Sequence, residues 1–209
     1  MDAHPVAFFI KGLIIGFSIA APVGPIGLLC IRRTLAYGRV SGLVTGLGAA
    51  TADSFYGAVA GFGLTTVAAF LLREEQWFRG VGGLFLLGLG IYTALARRSS
   101  RAAEAKDAGL LWDYASTMAL TLTNPLTILS FAAIFTGLGI VRAHSHPAAA
   151  LLVLGVFCGS AAWWLILSAA VSATRRHFSP ATMRLVNVAS GVIICGFGVV
   201  VLIELVRAL

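Results

Sequence analysis

The chain has 209 residues, of which 59% are hydrophobic and 11% charged, with a formal net charge of +7 and a mean hydropathy of +0.95. Soluble domains are about 45–50% apolar and about 25% charged, so this composition excludes a soluble globule, and it is too apolar for disorder. What remains is an integral membrane protein with short loops, and 24 glycines suit close helix packing in lipid.

An apolar helix needs about 20 residues to cross the hydrocarbon core. The first span is expected from Val6 to Ile31, broken at Pro22-Val23-Gly24-Pro25. Its start, Met-Asp-Ala-His, lacks the basic n-region of a cleaved signal peptide. The second apolar stretch runs from Val40 to Leu72, with Asp53 its one charge. As a single helix it would be about 50 Å long, well beyond a core of about 30 Å. A break near Gly61-Phe62-Gly63 is therefore expected, leaving Leu64 to Leu72 as a short re-entrant or interfacial helix. The third span is read from Val81 to Ala96. A polar stretch follows, from Arg97 to Asp113. Span four runs from Tyr114 to Val141, interrupted at Asn124-Pro125. Span five runs from Ala148 to Ala173, and span six from Leu185 to Val206.

The basic residues give an orientation. Arg32, Arg33 and Arg39 follow span one. Arg97, Arg98, Arg101 and Lys106 follow span three, and Arg175, Arg176 and Arg184 follow span five. These are ten of the fifteen Lys and Arg residues, so their side reads as cytoplasmic and both termini as external. Basic clusters in gaps between apolar spans report topology, so nucleic acid is not an expected partner. The chain reads as an all-α membrane protein of six spans in one transporter domain. Its first three-helix repeat covers 1–98, a polar cytoplasmic loop 99–113, and a second three-helix repeat 114–209. Three is odd, so the halves enter the membrane from opposite sides, as in inverted repeats. The first helix of each half carries the proline break.

Broken helices at corresponding positions mark transporter substrate sites. Pro22, Gly24 and Pro25 unwind about a turn, because proline removes a donor and clashes with the preceding turn. The freed backbone suits a small polar or zwitterionic solute; the bland alternative is a structural kink. Asn124 and Pro125 form the second break, with Thr123 beside it. The Asn amide offers both donor and acceptor, either to substrate or to the loosened backbone. Asp53 is the sharpest single signal, since a mid-span acid is expensive and ordinarily serves as a proton relay or cation partner. It is assigned to ion coupling, against the alternative of a protonated structural acid. Tyr56, Trp163 and Trp164 either line a cavity or pack. Cys30, Cys158 and Cys195 lack CxxC spacing and read as small hydrophobes. No nucleotide-binding loop, zinc-protease motif or nucleophile elbow is present, so no enzyme, cofactor or metal site is expected.

The ordered set of motifs resembles the LysE/RhtB family of amino-acid exporters. It consists of Ala21-Pro22-Val23-Gly24-Pro25-Ile26-Gly27, then Gly46-Leu47-Gly48-Ala49-Ala50-Thr51-Ala52-Asp53-Ser54-Phe55-Tyr56, then Leu122-Thr123-Asn124-Pro125. Val23 departs from the Pro-Gly-Pro of many relatives. The resemblance implies export of basic amino acids, threonine, homoserine or its lactones. Export would run from the bacterial cytoplasm across the inner membrane, driven by the proton-motive force or membrane potential. The partners it implies are the amino-acid substrate, membrane lipid and a second copy in a homodimer. Two rivals remain. One is a cation or metal exporter of a related superfamily, which would call for more than one buried acid. The other is a membrane redox protein, which would need cysteines in both broken spans; span four has none. With Asp53 the one buried acid and no buried base expected, a neutral or cationic amino acid fits better than an anion.

Overall fold

The computed structural model describes residues 5–22, 24–95, 106–124, 126–131, 146–174 and 180–207. They are helical almost throughout, and no strand occurs among them. The helices are α1 (Pro5–Ala20), α2 (Pro25–Tyr37), α3 (Arg39–Gly61), α4 (Thr65–Arg73), α5 (Glu75–Leu95) and α6 (Lys106–Leu122). A helical run over 126–131 is α7. It is followed by α8 (His146–Thr174) and α9 (Pro180–Arg207).

The sequence punctuates these helices where expected. α1 stops before Pro22, and Pro25 opens α2 at its first position, where a missing N–H is harmless. The axes of α1 and α2 are turned 80° to each other. Gly38, at φ 102°, lets α2 pass into α3 without a loop. The break near Gly61 is also found: α3 ends there, and Gly63, at φ 64°, redirects the chain into the nine-residue α4. The polar stretch read as a loop to Asp113 turns out helical from Lys106 onward.

Among the described residues, α5, α8 and α9 are long and apolar enough to cross a membrane, and the bent pair α1 and α2 is together long and apolar enough for a broken span or a re-entrant loop. α3 has 23 residues, about 34 Å of helix. It is too rich in Gly, Thr and Ser to score as apolar, and the packing explains why. α3 lies against α1, α2, α6 and α8, so small residues on it replace the lipid-facing side chains of an outer helix.

Several helices approach almost backbone to backbone, α3 meeting α6 where Gly48 faces Tyr114 O. Gly12 and Gly16 of α1 face Gly155 and Gly159 of α8, and a Cβ at any of the four would overlap a main-chain carbonyl opposite. α5 and α9 meet closely at Gly90 and Gly191, and Arg79 and Glu204 join them by an ion pair of 3.3 Å.

Replacing Gly159 by Val should lower the thermal midpoint in detergent by the equivalent of about 1–3 kcal/mol, because the α1–α8 seam cannot open locally. Gly88, with nothing within 4 Å of a built Cβ, should accept Ala with no loss and a gain of up to about 1 kcal/mol in helix propensity.

Candidate functional site

Asp53 lies on α3 where that helix crosses α8, and it is 3% exposed. Its Oδ2 accepts a hydrogen bond from Ser160 Oγ at 2.7 Å. Ser160 Oγ in turn accepts from Trp164 Nε1 at 3.1 Å. Trp164 packs into a core cluster with Ala20 and Ile26, which flank the first break. One turn along α3 from Asp53, Tyr56 packs with Ile128 and Phe131, just past the second break. The buried acid thus stands between groups that reach toward both interruptions.

The two breaks are finished differently. At the second, Asn124 Oδ1 accepts from Leu126 N at 3.1 Å. That is the geometry of an Asn capping the start of the helical run over 126–131. It also takes the Leu126 N–H away from Leu122 O, four residues back, and the Tyr56 hydroxyl donates to that carbonyl at 2.6 Å. At the first break, Gly24 N bonds Pro22 O at 3.0 Å. Gly24 is the N-cap of α2 but has no side chain to cap it, while Pro25, Ile26 and Gly27 of the first turn are buried. The dipole of a helix makes such an end attractive to negative charge.

A second polar layer lies toward the far end of α2. Arg33, 3% exposed, pairs through Nε with Asp113 Oδ1 at 2.9 Å. Its Nη1 donates to Thr117 Oγ1 and Asp113 O at 2.9 Å each and to Thr45 Oγ1 at 3.2 Å. Its Nη2 donates to Ser116 Oγ at 2.8 Å. Ser41 Oγ donates to the other carboxylate oxygen of Asp113. Arg32, 2% exposed, turns to the other side of α2, toward Thr93 of α5 and Asn187 of α9.

The sequence of this chain matches the LysE type translocator family over residues 17–205. The chain belongs to that family. The LysE type translocators are transporters rather than enzymes, and this chain is a transmembrane member of them. It is 26% identical over 197 residues to the Bacillus subtilis protein named "Putative amino acid efflux protein YcgF", covering 91% of this chain and 92% of that one. It is 32% identical over 170 residues to the Escherichia coli protein named "Uncharacterized membrane protein YahN", covering 78% of this chain and 73% of that one. No solved structure matches it.

Set in this LysE type translocator, the residues singled out from sequence fall into three groups. Asp53 and Tyr56 are buried on α3. Pro22 is exposed, Gly24 half-buried and Pro25 buried at the first break. Asn124 and Thr123 are half-buried at the second; Asn124 is committed through Oδ1 to its own helix end, and the Thr123 hydroxyl bonds Ala119 O at 2.9 Å. Pro125 lies outside the described residues. Trp163 does not join the hydrogen-bonded chain; it packs edge-on against Phe17 of α1 with ring centroids 5.5 Å apart. Sequence reasoning missed Ser160 and the whole arginine layer. The sequence pattern reads Arg32 and Arg33 as loop charges and predicts no buried base, whereas both are buried and Asp113 is a second buried acid. A usable signal was present: Asp113 is followed by Ser116 and Thr117 at helical spacing, a polar face pointing at one partner.

Arg33→Gln should destabilise the protein by about 3–5 kcal/mol, because it leaves Asp113 buried without its cation. A paired Arg33→Met, Asp113→Leu variant should recover a large part of the loss, read as the thermal midpoint of purified protein in detergent.

Proposed function

We propose that this chain is a secondary transporter that exports amino acids or close derivatives from the cytoplasm of a bacterium across its inner membrane. Family membership and the efflux named for the Bacillus subtilis relative support the transport class. The single observation that carries the mechanism is Asp53, a buried acid between α3 and α8 with Ser160 as a hydrogen-bond donor. In lipid such an acid is costly, and it faces substrate or ion.

The proposed architecture is six crossings in two inverted three-helix repeats, residues 1–98 and 114–209, joined by the cytoplasmic stretch 99–113. Exchange of the halves supports it. Swapping spans one, two and three for four, five and six turns the contact of α1 with α8 into the contact of α6 with α3. The α3–α8 and α5–α9 contacts map onto themselves. Both termini are external in this arrangement.

Substrate occupies the midplane between Pro22, Gly24 and Pro25 on one side and Thr123, Asn124 and Pro125 on the other, with Tyr56 and Trp163 in the walls. The uncapped N-terminus of α2 favours a carboxylate, and Asp53 meets the amine or carries the coupling proton. Basic amino acids, threonine, homoserine and its lactones are the candidate substrates, and the proton-motive force is the driving gradient. Lipid surrounds the bundle, and a homodimer is its proposed assembly. The metal-exporter rival called for more than one buried acid. The second, Asp113, is committed to Arg33 and Ser41, which favours the amino-acid reading.

In inside-out vesicles, Asp53→Asn should abolish amino-acid transport while insertion and melting stay near native. Unchanged flux with unchanged pH dependence would sink the coupling role. A growth-rescue screen against toxic levels of single amino acids should identify the substrate as the one whose toxicity the expressed chain relieves.

A further inference from the structure

Arg32 and Arg33 are adjacent, equally buried and differently satisfied. Arg33 has a carboxylate partner and a full set of short bonds. Among the described residues Arg32 has only neutral oxygens within hydrogen-bonding reach, and it feels the Asp113 carboxylate from beyond contact. Its Nη1 donates to Thr93 Oγ1 at 3.2 Å and its Nε to Asn187 Oδ1 at 3.3 Å, and the Tyr37 hydroxyl lies against it. Among the described residues no carboxylate stands within ion-pair distance of it. The one acid near this doublet, Asp113, is paired in contact with Arg33, and a buried charge without a contact counter-ion is expensive. Bonds of this length to neutral acceptors return less than a carboxylate would, since charge-assisted bonds run about 2.7–2.9 Å and are about twice as strong.

The surroundings of Arg32 tie it to two helices that Arg33 does not touch. Thr93 and Asn187 belong to α5 and α9, the pair that meets at Gly90 and Gly191. That pair touches the rest of the bundle chiefly where α2 packs on α9. Arg33, by contrast, ties α2 to α3 and α6.

We propose that Arg32 is the entry station for the substrate's carboxylate, and that the carboxylate displaces Thr93 and Asn187 from the guanidinium and so frees the α5–α9 pair to move. The assignment rests on the exporter reading above and sharpens it: the substrate carries a free carboxylate. Arg32 lies seven residues along α2 from Pro25, about 10 Å from the first break. It therefore precedes the midplane site in the path rather than duplicating it. The planar guanidinium fork matches a carboxylate in two bonds, which an ammonium does not. A ligand shifts a conformational equilibrium only through differential affinity. Here the difference is a charged acceptor against two neutral ones.

The test compares transport in proteoliposomes of the twenty common amino acids and homoserine, each beside its carboxamide, for native protein, Arg32→Gln, Arg32→Lys and Thr93→Val. Native protein should carry a free acid with a half-saturation concentration at least about tenfold below that of its amide. Arg32→Gln should raise the value for the acid about tenfold and leave the amide within about twofold. Arg32→Lys, which keeps the charge and is the fallback where the Gln variant does not fold, should show a smaller loss confined to the acid. Thr93→Val, which leaves the guanidinium in place, should keep the preference for the acid. Equal transport of acid and amide by native protein overturns the assignment and leaves the exporter reading standing. So does an equal loss of both in folded Arg32 variants, or loss of the preference in Thr93→Val. A native protein that moves no amino acid overturns both.

Discussion

The ion pair of Arg33 with Asp113 sets where α2 can be. Two charges inside a helical bundle are tolerated when each satisfies the other and the remaining donors find oxygens. Arg33 reaches that state through four oxygens on α6 and one on α3. These bonds tie α2 to both α6 and α3. On the helix so tied, Arg32 points to α5 and α9, Cys30 Sγ lies 3.4 Å from Gly42 O, and the N-terminal turn at Pro25 to Gly27 is buried near Trp164.

Much of the helix plan was legible because its signals are local. Pro22 and Pro25, Asn124, and the Gly61-Phe62-Gly63 interruption each act on the residues beside them, and each ends or begins a helix where the sequence indicated. The arginine layer was not legible. A basic doublet at the end of an apolar run looks the same whether it enters a cytoplasmic loop or turns inward. What decides is a partner 80 residues away, about which local pattern is silent. The tryptophan pair failed for a related reason. Adjacent helical positions differ by about 100° in direction, so of Trp163 and Trp164 one had to miss the Ser160–Asp53 chain. Sequence spacing does not say which way α8 is rotated. Ser160 was passed over because a serine in a small-residue span reads as packing until its neighbour across the interface is known.

The two proline breaks look equivalent in sequence and are unequal in structure. The second is closed chemically: Asn124 caps the new helix, and Tyr56 takes the carbonyl that capping releases. The first has a glycine at the capping position and no side-chain substitute. Breaks that match in sequence need not share a task. A sealed break gives a rigid wall, and an open one offers its dipole to a solute. In the proposed exporter this asymmetry divides the work between the halves, with binding groups on the first and a fixed frame on the second.

The bond from Tyr56 to Leu122 has one more implication. A phenol owns a single proton, and here that proton is already spent on the chain's own carbonyl. Toward a solute in the proposed exporter, Tyr56 can therefore present only lone pairs. Were it to line the proposed substrate path, it would be an acceptor, hospitable to an ammonium group and indifferent to a carboxylate, and a helix break more than sixty residues away in sequence fixes that character.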